Sequence, residues 1–382
     1  MSILVVDDNP MNVMVVREML NRSGYEDVRV AYSAEEMFAM LRPQDPAAEG
    51  DSVDLILLDL MMPAIDGIKA CHMLQKDEQL RDIPVIMVTA IGDSRKLAEA
   101  LDAGATDYVT KPINKIELLA RIRSALRLKR ELDWHKERDR RLREELNLAR
   151  QVQEAVLPND VDEENLRVNA FFRASEGLAG DLYAWHVFDS QHFLIAVMDA
   201  MGHGISSSLI STYTASVLHE AMRTTVTPKR IVEELNRRLL QLQYDSEMMQ
   251  YYCTGICAWI DLENGVIEYV NAGHPPGLLT RADGEGTEQL AATAPPIGLF
   301  DQMEAKMETA VLRTGDVLHL YTDGLLDLFP GDMDERIGQL TERVFQAGGN
   351  TEELEALMAS ESLDRRPDDR CLVRVEVKKA RR

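Results

Sequence analysis

From Asn114 to Pro158 the chain carries a helical pattern with no clear stop. Leu119, Ile122 and Leu126, and later Leu142, Leu146, Ala149 and Val152, recur at helical spacing. A mixed charge run from Lys136 to Glu145 lies between them. A helix that long cannot pack wholly on one small domain, so the chain is expected to divide around it. It is either a dimeric coiled coil or a rigid strut to the next domain. Apolar residues flanking the charged run at both ends favour dimerisation over an exposed, salt-bridged helix.

The two flanks differ in pattern. Before the helix, short apolar runs alternate with helical stretches such as Met11–Asn21 and Ser94–Ala103. The runs are Ile3–Val6, Val28–Ala31, Asp54–Leu58, Val85–Val88 and Asp107–Val109. Apolar throughout, they read as parallel strands covered on both faces. Such units give a five-stranded, doubly wound α/β domain over residues 1–125, with its site at the carboxyl ends of the strands. Pro43 to Ser52 reads as an enlarged surface loop. The linker occupies 126–160.

Over residues 161–378 strands dominate: Val168–Ala174, Phe193–Met198, Cys253–Ile260, Val266–Asn271, Gly277–Thr280, Val317–Leu320 and Leu372–Val377. Two helical patterns, Ser206–Arg223 and Pro228–Tyr244, interrupt them. Glu263-Asn264-Gly265 and Asp283-Gly284 signal antiparallel hairpins. The expectation is an α+β domain with sheets in the middle and helices outside.

At 382 residues there is enough chain for two or three domains with cores of their own. The net charge of −23 repels a phosphate backbone and argues against nonspecific nucleic-acid binding. No helix-turn-helix pattern with basic recognition residues is present either. Cys253 and Cys257 have no second ligand pair near them, so a zinc site is not expected. They alternate with apolar residues and read as buried thiols; with Cys71 and Cys371 included, nothing suggests disulfides, and a reducing compartment is expected. Met1 runs directly into the strand-like Ile3-Leu4-Val5-Val6, which leaves no room for a signal peptide. No apolar run approaches a membrane span. A cytoplasmic protein without membrane contact is expected.

Asp7 and Asp8 end the first predicted strand, Asp59 the third and Thr89 the fourth, and Lys111 follows the fifth. Parallel strands bring these ends to one edge. Carboxylates gathered there repel one another unless a cation sits among them. Magnesium suits, because it takes oxygen ligands and keeps positions open for phosphate oxygens. A carboxylate can attack phosphorus to form an acyl phosphate. Lys111 could pair with a phosphoryl oxygen, and Thr89 could donate a hydrogen bond. Val6-Asp7-Asp8, Leu58-Asp59-Leu60-Met61-Met62-Pro63 with Asp66-Gly67, Val88-Thr89-Ala90 and Thr110-Lys111-Pro112 closely resemble the response-regulator receiver family. The resemblance implies Asp59 as phosphoacceptor and Mg2+ held by Asp7, Asp8, Asp59 and the Met61 carbonyl. It implies Thr89, Tyr108 and Lys111 as switch residues, and a sensor histidine kinase or phosphotransfer protein as donor.

A second set of acids follows: Gly180-Asp181, Asp199-Ala200-Met201-Gly202-His203-Gly204, Tyr321-Thr322-Asp323-Gly324 and Asp368-Asp369. Each acid ends an apolar stretch beside a glycine or a turn, where carboxylates can converge. Four in one cleft suit a pair of divalent ions that activate a water and clamp a phosphate. An all-oxygen set favours manganese or magnesium over zinc. These pieces, with Ala149-Arg150-Gln151-Val152-Gln153, Leu157-Pro158, Asn271-Ala272-Gly273-His274-Pro275-Pro276, Pro296-Ile297-Gly298-Leu299 and Gly315-Asp316, resemble the PPM-type serine/threonine phosphatases. The likeness is to their SpoIIE/RsbU-like bacterial branch, which acts on stress-response and sporulation regulators.

That resemblance implies catalytic acids Asp181, Asp199, Asp323 and Asp368 around two Mn2+ or Mg2+ ions. Asp199 would bridge them, and the Ala200 carbonyl would be a ligand. Ala179, Ala184 and Cys371 depart from the family pattern without removing a principal ligand. His203 and His274 are candidates for a general acid, though loop histidines beside glycine more often hold a turn.

Together the halves predict a response regulator whose output is a metal-dependent phosphoserine/phosphothreonine phosphatase under Asp59 control. By resemblance its substrate is an anti-sigma-factor antagonist. The alternative is a catalytically weak phosphatase-fold adaptor that binds a sigma factor or its regulators under receiver control. Loss of metal ligands would be its signature, and all four acids are present.

Overall fold

The computed structural model describes residues 1–42, 53–90, 94–175, 177–202, 204–242, 251–282, 284, 286–347, 350–360 and 368–380. The loop expected at Pro43 to Ser52, His203, Tyr244 and Asp283 lie outside them. The chain divides into two compact units, Met1–Leu142 and Arg143–Arg382.

The first unit alternates strand and helix: β1 (Ser2–Val6), α1 (Pro10–Asn21), β2 (Asp27–Ala31), α2 (Ala34–Leu41), β3 (Val53–Asp59), α3 (Gly67–Lys76), β4 (Val85–Ala90), α4 (Ser94–Asp102), β5 (Asp107–Lys111) and α5 (Lys115–Ala155). All strands are parallel, in the order β2-β1-β3-β4-β5. Alternate residues of one strand feed opposite cores, which is why the inner strands β1, β3 and β4 are mainly apolar, whereas the edge strands β2 and β5 carry Arg29 and Asp107. Leu4, Val6, Ile56 and Leu58 pack with α2, α3 and α4. Ile3, Val5, Leu55 and Leu57 pack with α1 and with Leu118, Ile122 and Leu126 of α5. Helix starts carry their own stops and caps. Asn9 caps α1 with Pro10 next to it, Ser33 caps α2 and Asp66 caps α3.

Helix α5 is one unbroken element of 41 residues. Its first turns are buried in the receiver-side core, and from residue 130 to 152 its side chains are exposed or half-exposed.

The second unit contains β6 (Val161–Asp162), β7 (Leu166–Arg173), β8 (Asp181–Val187), β9 (His192–Ala200), α6 (Ile205–Thr224), α7 (Pro228–Leu240), β10 (Cys253–Asp261), β11 (Val266–Ala272), β12 (Gly277–Thr280), β13 (Thr287–Leu290), β14 (Glu308–Val311), β15 (Val317–Tyr321), a 3-10 helix (Asp323–Leu328), α8 (Met333–Ala347), α9 (Thr351–Ala359) and β16 (Arg370–Val377). Two antiparallel sheets form, ordered β14-β11-β10-β9-β8 and β13-β12-β15-β16-β7-β6. Strand alternation again assigns the layers. Phe193, Ile195, Val197 and Ile256 of one sheet meet Leu318, Leu320, Val373 and Val375 of the other. The opposite face of the first sheet, with Leu194, Ala196, Met198 and Cys257, is covered by α6 and α7. Leu278, Tyr321 and Leu372 on the outer face of the second sheet pack under α8 and α9. The result is a β-sandwich flanked by helices.

No element is expected from the sequence at 181–187, 287–290, 308–311, 333–347 or 351–359. The structure has β8, β13, β14, α8 and α9 there. All four cysteines are buried and unpaired. Among the described residues no helix is long and apolar enough to cross a membrane.

Candidate functional site

The receiver-like unit gathers its acids where the order of its strands reverses, between β1 and β3. Asp7 and Asp8 follow β1, and Asp59 ends β3. Carboxylate oxygens of all three lie within 4.8 Å of one another. Asp8 is exposed, whereas Asp7 and Asp59 are buried. The Lys111 ammonium, at the end of β5, donates to Asp7 Oδ2 at 2.9 Å and also to Asp59 Oδ1. Asp59 Oδ2 accepts from the Met61 amide at 3.0 Å. Burial raises the Asp59 carboxyl above its ordinary value, Lys111 pulls it down, and Asp7 pushes it up again. Burial alone would lower the Lys111 ammonium, but its hydrogen bonds to Asp59 and Asp7 carry it upward.

Thr89 lies at the end of β4, its hydroxyl donating to the Ala90 carbonyl at 3.3 Å. Tyr108 is half-buried in β5. The Arg121 guanidinium sits over its ring, 5.2 Å from the centroid, and pairs with Asp107 and Glu117. Asn12 is an addition the motif reading misses. Its side-chain amide donates to both Asp7 oxygens at 3.0 Å and fixes that carboxylate.

The second site is built at one end of the sandwich. Asp181 opens β8 and Asp199 lies near the end of β9, and the two are opposite residues in the antiparallel ladder. They share the parity of Tyr183 and Val197, so both face the space between the sheets. Asp323 follows β15 and Asp368 precedes β16, which pair antiparallel through Tyr321 and Leu372. A hydrogen bond ties the two sheets together here. The Thr322 hydroxyl donates to Asp181 Oδ2 at 2.6 Å and accepts from the Cys371 amide at 2.9 Å.

Asp181 is only 3% exposed, Asp199 and Asp368 are half-buried, and Asp323 is exposed at the rim. No basic side chain pairs with Asp181, Asp199 or Asp323 among the described residues. The electrostatic result is plain. Burial, then Asp199, drives the Asp181 carboxyl well above its ordinary value. Burial, then Asp323 and Asp368, pushes Asp199 up to about 8. Desolvation, then Asp368 and Asp327, pushes Asp323 up to about 6. The acids are thus close enough to feel one another. No three of them bring oxygens within 4.8 Å of one another, as the receiver set does. The set is more open than a single-ion cage and is spread along the end of the sandwich.

Two glycines make the convergence possible. A Cβ on Gly180 would lie 3.0 Å from the Ala200 carbonyl oxygen, and one on Gly324 would lie 2.0 Å from the Asp369 carbonyl oxygen. Asp369 is a strut. Its carboxylate accepts from the Ser175 and Gly180 amides, each at 2.7 Å. Of the three departures from the family pattern, Ala179 and Ala184 are fully buried, Ala184 under α6 and α7. Cys371 is buried between the sheets. The His274 ring is buried, bonds through Nδ1 to Thr254 Oγ1 at 2.8 Å, and is held down to about 4 by that burial. It is neutral near pH 7 and serves the loop, with its amide donating to Asn271 Oδ1 at 2.9 Å.

Comparison with known proteins follows these divisions. Residues 3–123 match the Response regulator receiver domain family, and residues 189–378 match the Stage II sporulation protein E (SpoIIE) family. Phosphoserine phosphatase RsbP of Bacillus subtilis (strain 168) is 34% identical over 244 residues, 61% of this chain and 58% of RsbP. Response regulator PleD of Caulobacter vibrioides (strain NA1000 / CB15N) is 39% identical over 137 residues, 36% of this chain and 28% of PleD. The chain therefore spans less than two thirds of either relative. The SiaA-PP2C domain of Pseudomonas aeruginosa superposes with a TM-score of 0.53 at 18% identity, covering 63% of this chain and 98% of that one. The chain joins a response-regulator receiver domain to a SpoIIE-type domain of PPM phosphatase fold.

Proposed function

We propose that this chain is a two-component response regulator whose output is metal-dependent dephosphorylation of phosphoserine or phosphothreonine on a regulatory protein. The single observation that carries the reading is the convergence of Asp181, Asp199, Asp323 and Asp368 at one end of the sandwich, with no basic counterion at the first three among the described residues. Carboxylates that repel one another, one of them nearly sealed from solvent, fit a divalent cation, and an all-oxygen donor set fits Mn2+ or Mg2+. Asp181, Asp199, Asp323, Asp368 and the Ala200 carbonyl would hold two such ions. Bound there, they would supply an activated water and charge neutralisation at the phosphoryl oxygens. The spread of the acids suits ligands shared between two ions, some reached through water. Thr322 orients Asp181, and Gly180 and Gly324 keep the backbone clear. Neutral His274 holds its loop.

In the receiver, Asp7, Asp8, Asp59 and the Met61 carbonyl would hold Mg2+. Asp59 would attack the phosphorus of a phosphohistidine donor, displacing the imidazole and forming an acyl phosphate. Lys111 would pair with a phosphoryl oxygen, and Thr89 and Tyr108 would respond to it. The donor would be a sensor histidine kinase or phosphotransfer protein in the cytoplasm. The likeness to RsbP, named a phosphoserine phosphatase, supports a phosphoprotein substrate, which we take to be an anti-sigma-factor antagonist. The exposed apolar residues along α5 support a homodimer through that helix.

The test is phosphate release from a phosphorylated antagonist protein with added Mn2+, with and without beryllofluoride at the receiver. No turnover by the wild type, or equal turnover after Asp199→Asn, removes the proposal.

A further inference from the structure

Between β7 and β8 the described residues add no strand of their own, Leu178 making only a single bridge, yet this segment delivers Asp181 to the site. Its backbone polar groups must therefore find partners elsewhere. Asp369 takes the amides of Ser175 and Gly180, and the Ala200 amide reaches the Gly180 carbonyl at 3.3 Å. Ala179, which is fully buried, is served by one side chain from outside both sheets. Gln153, in the last turns of α5, donates from Nε2 to the Ala179 carbonyl at 2.6 Å and accepts at Oε1 from the Ala179 amide at 3.0 Å. Its side chain mimics a strand pairing with that residue. Gln153 is 7% exposed, whereas Gln151, Val152 and Glu154 around it are exposed. The terminal amide of glutamine both donates and accepts at this reach. Glutamate lacks the donor, lysine the acceptor and leucine both.

We propose that Gln153 is a positioning residue that locks the Ala179-Gly180-Asp181 segment, so that the end of α5 sets the divalent-cation affinity of the phosphatase site. The inference rests on the reading of Asp181 as a cation ligand. Asp181 is two residues beyond the clamped Ala179, and no regular structure separates them. A carboxylate held in place before the cation arrives loses less freedom on binding than one that must be ordered. The clamp comes from the same unbroken helix that begins at Lys115, four residues after Lys111 of the receiver site.

The experiment is hydrogen–deuterium exchange on the full-length chain, followed over 177–187 through a Mn2+ titration, for wild type, Gln153→Leu, Gln153→Glu and the exposed control Gln151→Leu. The wild type and the control gain protection at the same Mn2+ concentration. In Gln153→Leu the midpoint rises about ten- to a hundredfold, and the metal-free Ala179 amide exchanges faster. Gln153→Glu, which keeps size and acceptor, falls between. At saturating Mn2+ the kcat of Gln153→Leu on p-nitrophenyl phosphate returns to within about twofold of wild type, a recovery that general destabilisation would not give. A Mn2+ response in the wild type with an unchanged midpoint in both Gln153 variants overturns the clamp alone. A wild type that gains no protection from Mn2+ overturns the cation reading of Asp181, and the clamp's role with it. Should Gln153→Leu fail to fold, Gln153→Glu decides by the same midpoint.

Discussion

Asp181 and Asp199 are direct partners across the β8–β9 ladder, one nearly sealed from solvent and the other half-buried, with no positive side chain among the described residues paired to either. Like charges opposed on neighbouring strands destabilise a sheet. Here the conflict is retained at the end of a sandwich that brings in two further acids.

That conflict has a pH signature. The Asp199 carboxyl is raised to about 8 in the folded chain, so folding favours its protonated form. Stability from this group is full below the unfolded carboxylate value and is lost as pH rises through about 8. The buried histidines work the other way. His274 and His319 are lowered to about 4 and about 3, so they destabilise the fold as pH falls below their unfolded values. Above their unfolded value near 6.5 the histidines become neutral in both states, so their opposing slope fades as pH approaches ~8. Thermal melts in chelator between pH ~6.5 and ~8 should therefore show a falling midpoint. Asp199→Asn should flatten that fall, and saturating Mn2+ should raise the midpoint most at the upper end. A midpoint that climbs over this range in the wild type would contradict the assignment.

The receiver makes a separate prediction. Asp59→Asn should abolish incorporation of phosphate from a small acyl-phosphate donor, read as loss of a mobility shift on a phosphate-affinity gel. Asn12→Ala, which frees Asp7 from its amide clamp, should leave the acceptor intact but weaken Mg2+ binding by about threefold to tenfold. An Asp59→Asn chain that still takes up phosphate would move the acceptor elsewhere.

Ala64, in the loop after Asp59, is the one non-glycine residue with positive φ among those described, at 64°. A side chain there costs about 1–2 kcal/mol, while glycine gives back part of that through unfolded-state entropy. Ala64→Gly should stabilise the receiver by about 0.5–1 kcal/mol in urea unfolding. A loss of stability would mean that the methyl group has a packing role outweighing its backbone strain.

On the exposed stretch of α5, Leu142 is 48% exposed and Val152 57% exposed. Leu142, Leu146, Ala149 and Val152 recur at helical spacing along it. Light scattering should give the mass of two chains for wild type and of one for Leu142→Glu/Val152→Glu. Equal masses would remove α5 as the dimer seam.

Much of this architecture is written locally. The inner strands β1, β3 and β4 of the receiver are mainly apolar runs, and the candidate acids Asp7 and Asp59 stand where such runs stop, so that with Lys111 at the end of β5 they were legible as one edge. The second domain hides more. Strand β8 begins immediately after Gly180 and mixes Asp181, Tyr183 and His186 with apolar residues, so the motif obscured the strand. The short β13 and β14 are pairings completed by neighbours rather than by their own patterns. The supports of the site were illegible for the same reason. Gln153 to Ala179, Thr322 to Asp181 and Asp369 to Gly180 are contacts between residues distant in sequence. Spacing along the chain carries no trace of them.

On the proposed reading, Asp181, Asp199, Asp323 and Asp368 from the two sheets hold paired cations. Anomalous scattering at the manganese edge from crystals grown with Mn2+ measures it directly. Two peaks about 4 Å apart among Asp181, Asp199, Asp323 and Asp368, lost in Asp199→Asn, are the result expected. Manganese at the Asp7–Asp59 site with none at the end of the sandwich would contradict it.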